Sequence, residues 1–165
     1  MELNPKDEKD VNLMIALAKK WKGTEYIRCI SDSFGFENNS KYYIVKLKNG
    51  LQKSIDNITG IVKFSIVEDK NSKSMGIEYL QSAPNIANKK KSSPIKGSGE
   101  LAMYETIKYA KNNGFNDVAL YSTNDGFYDK IKMEKDSMVP GISLYTLKSP
   151  KFGEFLDRIK AKYNL

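Results

Sequence analysis

The sequence predicts an α/β (α+β) fold: a mixed, mostly antiparallel central sheet with a parallel pair at its splayed centre, flanked by helices. Three observations predict it. Apolar alternation at 61–67 and an apolar run at 77–80 are joined by Lys70-Asn71-Ser72-Lys73, most simply as an antiparallel hairpin with a longer loop. A long amphipathic helix then separates the 77–80 strand from Asp117-Val118-Ala119-Leu120-Tyr121, which is nearly continuous in apolar residues. Such a run suits a buried strand beside a parallel neighbour, reached by a right-handed crossover. Helical stripes at both ends of the chain supply the flanking elements. With 165 residues and 18.7 kDa, the chain is expected to form a single domain, 1–165, around one sizeable core.

The elements follow in order. Asn4-Pro5 reads as an N-cap with proline at the first helical position, and Val11, Met14, Ile15, Ala18 and Trp21 form an apolar stripe ending at Gly23. A helix is thus expected before any strand. Tyr26-Ile27-Arg28-Cys29-Ile30 reads as a strand. The strand at 42–47 places Tyr43, Val45 and Leu47 on one face, and Asn49-Gly50 signals a tight turn. Val62, Phe64 and Ile66 share the inner face of the 61–67 strand. The 77–80 strand closes at Ser82-Ala83-Pro84, because proline has no N–H to give to a ladder. The next helix begins after Gly99, carries Leu101, Tyr104, Ile107 and Ala110 on one face with Met103 alongside, and stops at Gly114. Residues 125–132 read as a short helix. The last strand, 142–147, alternates Ile142, Leu144 and Thr146 against Ser143, Tyr145 and Leu147. Ser149-Pro150 then caps a terminal helix with the stripe Phe152, Phe155, Leu156, Ile159 and Tyr163.

Composition removes several kinds of chemistry. The chain has no histidine, which excludes Ser-His-Asp and Cys-His catalysis and the usual histidine-bearing zinc sites. A general base must then be Asp, Glu, Lys, Tyr, a terminal amine or water. Cys29 is the single cysteine, so no internal disulfide forms, and it reads as a half-buried small hydrophobe. No run approaches the ~18 apolar residues of a membrane span. The charged start MELNPKDEKD carries no signal-peptide core, and cytoplasm is the default location. The net charge of +7 attracts polyanions such as nucleic acid, anionic membrane or a phosphorylated cofactor.

The stretch from Ile77 to Asn113 gathers these signals: a strand, a loop bearing Lys89, Lys90, Lys91 and Lys96, the turn Gly97-Ser98-Gly99, and the helix. A helix start leaves backbone N–H groups without intrahelical acceptors, at the positive end of the helix dipole. Glycine lets a phosphate approach because no Cβ intervenes. An anion suits this turn, a pyrophosphate most of all.

A second apolar strand and Phe127-Tyr128-Asp129-Lys130 follow the turn, and that order resembles the GNAT superfamily of acyl-CoA-dependent N-acetyltransferases. The family's phosphate motif, Gln/Arg-x-x-Gly-x-Gly/Ala, is matched by Pro94-Ile95-Lys96-Gly97-Ser98-Gly99, with both glycines in place and Pro94 at the leading position. Its later Phe-Tyr-x-Lys-x-Gly-Phe is matched by Phe127-Tyr128-Asp129-Lys130-Ile131, with Lys132 and Met133 in the last two places. The resemblance covers roughly residues 60–147, and the first 55 residues fit it least.

It implies an acyltransferase that moves an acetyl group from acetyl-CoA to a primary amine by direct attack in a ternary complex, with no metal. The implied cofactor-binding set is Leu80, Gln81, Ser82, Lys91, Lys96, Gly97, Ser98, Gly99, Glu100, Asn124 and Phe127. Within it, amides of the glycine turn grip the diphosphate with Lys96 or Lys91 assisting, and an amide just past Leu80, at Gln81 or Ser82, polarises the thioester carbonyl. The family's pantetheine-binding asparagine falls at Tyr121 here, so Asn124 equally reads as a helix cap. Tyr128 would protonate the departing thiolate, a role suited to a phenol of reference pKa ~10. Glu78, directly or through water, would be the base, with a raised pKa if buried.

The acceptor implied is an amine-bearing small molecule or a protein amine; a homodimer stays open and no membrane partner is expected. A CoA-binding GNAT-like domain without catalysis is the first alternative, suggested by Pro94. A basic nucleic-acid-binding module is the second, weakened because lysines 89–91 have no aromatic nearby.

Overall fold

The computed structural model describes residues 1–24, 26–37, 39–46, 55–84, 97–122 and 125–165. Seven strands pair in the order β1-β2-β3-β4-β5-β7-β6: β1 (Glu2–Leu3), β2 (Ser40–Lys46), β3 (Ile58–Glu68), β4 (Lys73–Ser82), β5 (Asp117–Ser122), β6 (Glu134–Val139) and β7 (Ile142–Lys148). Among the described residues the α-helices include α1 (Glu8–Lys20), α2 (Ile27–Asp32), α3 (Ser98–Asn112), α4 (Asp125–Lys130) and α5 (Phe152–Tyr163). β4 and β5 are parallel, whereas β1–β2, β5–β7 and β6–β7 are antiparallel. The parallel register runs from Ser74↔Asp117 to Ile77↔Leu120. Among the described residues no helix is long and apolar enough to cross a membrane. Two compact units divide the chain, residues 1–63 with 79–102, and 64–78 with 103–165.

The first unit departs most from its sequence pattern. A strand does precede the first helix, since Glu2 and Leu3 pair with Tyr43 and Tyr42. α1 starts at Glu8, and its cap is Asp7, whose carboxylate accepts the Lys9 N–H at 2.8 Å. Asn4 instead closes a turn, accepting the Lys6 N–H on its side chain and the Asp7 N–H on its carbonyl, each at 3.0 Å. An aspartate cap, with Glu8 and Asp10 in the first turn, complements the helix dipole better than Asn4 does. Residues 27–32 are helix α2, not a strand. Ile27 and Ile30 are buried three positions apart while Arg28 and Cys29 face out, which is helical spacing; a strand would have buried Cys29 with Ile27. Cys29 is therefore exposed rather than half-buried.

In β2 the core face is Tyr42 and Ile44, opposite to Tyr43 and Val45. Leu47 and Asn49-Gly50 lie outside the described residues. β3 is buried on both faces from Ile58 to Phe64, so Ile61 and Lys63 are as enclosed as Val62 and Phe64, and Ile66 is only half-buried. The Lys63 ammonium meets the Glu37 carboxylate at 2.7 Å and lies about 6 Å from the Tyr42 and Tyr79 rings. The core of this unit joins Leu3, Met14, Leu17, Trp21, Ile27, Ile30, Tyr42, Ile44, Ile58 and Ile61.

The second unit keeps its expected elements, although Tyr104 on α3 is only half-buried beside the buried Met103, Ile107 and Ala110, and β5 alternates rather than forming a buried run, with Tyr121 exposed. β3 turns into β4 through residues 69–72, where the Asp69 carboxylate accepts the Asn71 and Ser72 N–H groups at 2.8 Å. α3 ends ahead of Gly114 (φ +70°), and the Phe115 N–H reaches back to the Ala110 carbonyl at 3.0 Å. β7 buries Ser143, Tyr145 and Leu147. The terminal stripe holds, with Phe152, Phe155 and Ile159 all buried. β6 had no signal in its charged sequence, and it pairs with β7 on one side only, at the end of the strand order.

Candidate functional site

In the first unit the glycine turn is fixed by its middle residue. Gly97 has φ +89°, a conformation that costs glycine nothing. Ser98 is buried, and its hydroxyl sits 2.8 Å from the Thr59 carbonyl, to which it donates, and 3.0 Å from the Ser82 hydroxyl. Thr59 also receives the Ala83 N–H at 2.9 Å, so one carbonyl of β3 ties both the end of β4 and the start of α3. The Leu101 N–H closes the first helical turn on the Gly97 carbonyl at 2.9 Å. The amides of Ser98, Gly99 and Glu100 thus precede the first closed turn, where an α-helix has no acceptor of its own to offer.

Gly60 makes this approach feasible. A Cβ there would stand 3.2 Å from the Ser98 hydroxyl and 3.6 Å from the Gln81 carbonyl. Sequence reasoning passed over Gly60, although a glycine inside a strand pattern signals the close approach of another backbone. Leu80, Gln81 and Ser82 end β4 half-buried. The Gln81 side chain donates to the Ser82 carbonyl at 2.7 Å and accepts the Tyr26 N–H at 3.5 Å. Glu100 is buried. Lys91, Lys96 and Asn124 lie outside the described residues. A cavity of about 620 Å³ in this unit, lined by Glu2, Asn4, Lys6, Glu37, Ser40, Lys41 and neighbours, includes none of the expected residues.

In the second unit Tyr128 is buried on α4, with Phe127 half-buried at its edge (ring centroids 4.9 Å, 82°). The Tyr145 ring lies 5.2 Å from that of Tyr128. The Tyr145 hydroxyl donates to Asp129 at 2.7 Å, and Asp125 accepts from Ser143 at 2.8 Å and from Lys135 at 2.6 Å. The Lys135 hydrogen bond, then that of Ser143, holds the Asp125 carboxyl below its usual range. Burial, then the bond to Asp129, pushes the Tyr145 phenol well above its ordinary value, so it remains a donor. Asp125, Asp129, Ser143 and Tyr145 carried no motif signal. Glu78 is exposed on β4 rather than buried. It lines a cavity of about 300 Å³ with Gly76, Ile77, Ala119, Leu120, Tyr121 and Leu144.

Solved structures match this architecture over most of the chain. A putative acetyltransferase of the GNAT family from Desulfovibrio desulfuricans aligns with a TM-score of 0.60 at 9% identity, covering 87% of this chain and 94% of that one. Arabidopsis thaliana NAA60 in complex with acetyl-CoA gives 0.61 at 11% identity, over 90% and 96%. The chain has the GNAT fold. Campylobacter jejuni N-acetyltransferase PseH in complex with acetyl coenzyme A adds a TM-score of 0.56 at 19% identity, over 90% and 97%. No protein-family model and no curated protein sequence matches the chain.

One departure from the motif falls on a left-handed residue. Lys132 occupies the glycine position of Phe-Tyr-x-Lys-x-Gly-Phe, and its φ is +59°, the left-handed conformation that glycine adopts freely.

Proposed function

We propose that this protein is an N-acetyltransferase that uses acetyl-CoA and a primary amine, joined in a ternary complex. The observation that carries the reading is the start of α3. A glycine of positive φ precedes three amides ahead of the first closed turn, in a fold shared with acetyltransferases solved with acetyl-CoA. The residues suit a diphosphate: Gly99 adds no Cβ, and the Ser98 hydroxyl is turned into the protein toward Thr59 and Ser82.

Acetyl-CoA supplies an acyl thioester, which an amine converts to an amide with release of the CoA thiol. The amides of Ser98, Gly99 and Glu100 hold the diphosphate, with Lys91 and Lys96 adding charge, and an amide of Gln81 or Ser82 polarises the acyl carbonyl. Tyr128 keeps a phenolic proton for the departing sulfur. Glu78, directly or through water, takes the proton that the amine loses. The acceptor is an amine-bearing small molecule or a protein amine.

Two measurements test this reading. Saturation with acetyl-CoA at about a hundred times Kd is expected to stabilise the fold by ~2.7 kcal/mol. At this chain length that raises Tm by roughly 5–10 °C. Thiol release over an amine panel then identifies the acceptor. No stabilisation by acetyl-CoA would end the proposal; stabilisation without thiol release for any amine would leave a binding domain.

A further inference from the structure

We infer that Tyr145 is a positioning residue for Tyr128, acting through a two-point clamp that β7 places on α4. The inference rests on the reading of Tyr128 as the proton donor. α4 has only six residues, too few to hold a helix unaided. Two of its carboxylates, Asp125 and Asp129, stand four residues apart and so share one helix face. Both are met from β7, Asp125 by the Ser143 hydroxyl at 2.8 Å and Asp129 by the Tyr145 hydroxyl at 2.7 Å. Ser143 and Tyr145 are two residues apart on a strand and share its buried face.

The two spacings are commensurate. Four residues of α-helix rise about 6 Å. Two residues of antiparallel strand rise about 6.8 Å. Both hydrogen bonds can therefore form together only in one helix register and at one rotation. A roll by a single residue, about 100°, would carry both carboxylates off β7. Tyr128 lies within this span, three residues after Asp125 and one before Asp129, and its ring rests 5.2 Å from that of Tyr145 at 35°. The Tyr145 hydroxyl also lies 3.4 Å from the Asp125 carbonyl, so the same side chain touches both ends of the clamp. Lys135 on β6 donates at 2.6 Å to the same Asp125 oxygen that accepts from Ser143 and reinforces the first point.

The test uses Tyr145→Phe, which keeps the ring and removes the donor, beside Tyr128→Phe. In the free protein, amide exchange over residues 125–130 is expected to speed up in Tyr145→Phe while the strand amides of 117–120 keep their protection. With acetyl-CoA and an accepted amine, kcat is expected to fall ten- to hundredfold at an unchanged KM for acetyl-CoA, since a misplacement of about 1 Å costs about 10²-fold. Asp129→Ala should reproduce the loss and Asp129→Asn, whose amide oxygen still accepts, should recover most of it. The double variant Tyr145→Phe/Asp129→Ala should be no slower than either single one.

A donor that needs no acid, S-phenyl thioacetate, should erase the kcat deficits of Tyr128→Phe and Tyr145→Phe alike. Wild-type exchange and kcat in Tyr145→Phe would overturn the clamp while leaving the acid role of Tyr128 intact. A kcat deficit in Tyr145→Phe that persists with the aryl thioester would likewise overturn it, as a loss of folding alone. Full activity of Tyr128→Phe would remove the acid reading and this inference with it.

Discussion

Adding one methyl group at Gly60 tests how the glycine turn is held. Built on the backbone of β3, the new Cβ stands 3.2 Å from the Ser98 hydroxyl, 3.6 Å from the Gln81 carbonyl and 3.7 Å from the Ser98 carbonyl. The first contact is too short, so Ser98 must move by a few tenths of an ångström. It is anchored by bonds of 2.8 Å and 3.0 Å, and yielding weakens at least one of them, worth about 1 kcal/mol. Overpacking of this kind costs about 1–3 kcal/mol in all. Against it, alanine restricts the unfolded chain and returns about 0.4–1 kcal/mol. The net loss expected for Gly60→Ala is about 1–2 kcal/mol, or roughly 2–8 °C in Tm at this length. Urea denaturation of Gly60→Ala, Ser98→Ala and the double variant measures the coupling. Ser98→Ala alone should cost about 1 kcal/mol. The double variant should lose about 1 kcal/mol less than the sum, because the hydroxyl that clashes is gone. Stability equal to wild type in Gly60→Ala, or strict additivity, would refute the contact as the reason for glycine.

Three further outcomes follow from the same geometry. Lys132→Gly should stabilise the protein by up to about 1 kcal/mol by thermal scan, because the left-handed backbone costs a non-glycine residue about 1–2 kcal/mol and glycine gives back about 0.4–1 kcal/mol in unfolded-state entropy. Removing the two partners of the Lys63–Glu37 pair should be unequal: Lys63 is enclosed and Glu37 half-exposed, so Glu37→Ala should destabilise more than Lys63→Met by about 2 kcal/mol in denaturant titrations. Stability should fall off on both sides of neutrality. Hydrogen bonds hold Glu37, Glu134 and Asp125 below their ordinary values, and bonds to Lys41 and Tyr43 outweigh the effect of burial to hold Glu2 low. Their stabilisation is present above the unfolded values of 4.5 for Glu and 3.8 for Asp, and is lost as pH drops through the lowered folded ones. Tyr145, Lys135 and Lys151 are raised, so stability declines above about 10, where the unfolded chain gives up protons that the fold retains; Tyr145→Phe should flatten that alkaline limb.

The sheet and its long helices were legible because burial there follows one period per element. The parallel pair, the hairpin, α3 and α5 each present a single apolar face or a fully buried run, and pattern alone distinguishes those cases. Tyr26 to Ile30 suits a strand by sequence because five residues of mixed polarity satisfy two periods at once. The buried pair Ile27 and Ile30 decides for the helix, and that fact belongs to the packing of this unit. β1 has two residues and β6 lies at the end of the strand order, so neither needs an apolar alternation to be held in place.

The candidate site divides along the same physical line. Gly97, Gly99 and Tyr128 enter the proposed site through short motifs whose geometry is local to a turn or a helix. The residues that hold them were not, since the Thr59–Ser98 bond spans 39 positions and the Tyr145–Asp129 bond spans 16. Such pairs become visible only once topology has brought two elements alongside each other. Each nevertheless left a trace that topology makes readable. Gly60 interrupts the stretch of β3 from Ile58 to Phe64 that is buried on both faces, where only a close neighbour gives a missing side chain a purpose. Asp125 and Asp129 keep helical spacing, and Ser143 and Tyr145 keep strand spacing, over nearly equal lengths. Two elements known to lie side by side can therefore be searched for polar residues whose rises match. In this chain those spacings pick out Asp125, Ser143 and Tyr145, which no motif contains, beside Asp129, which fills an open position of one.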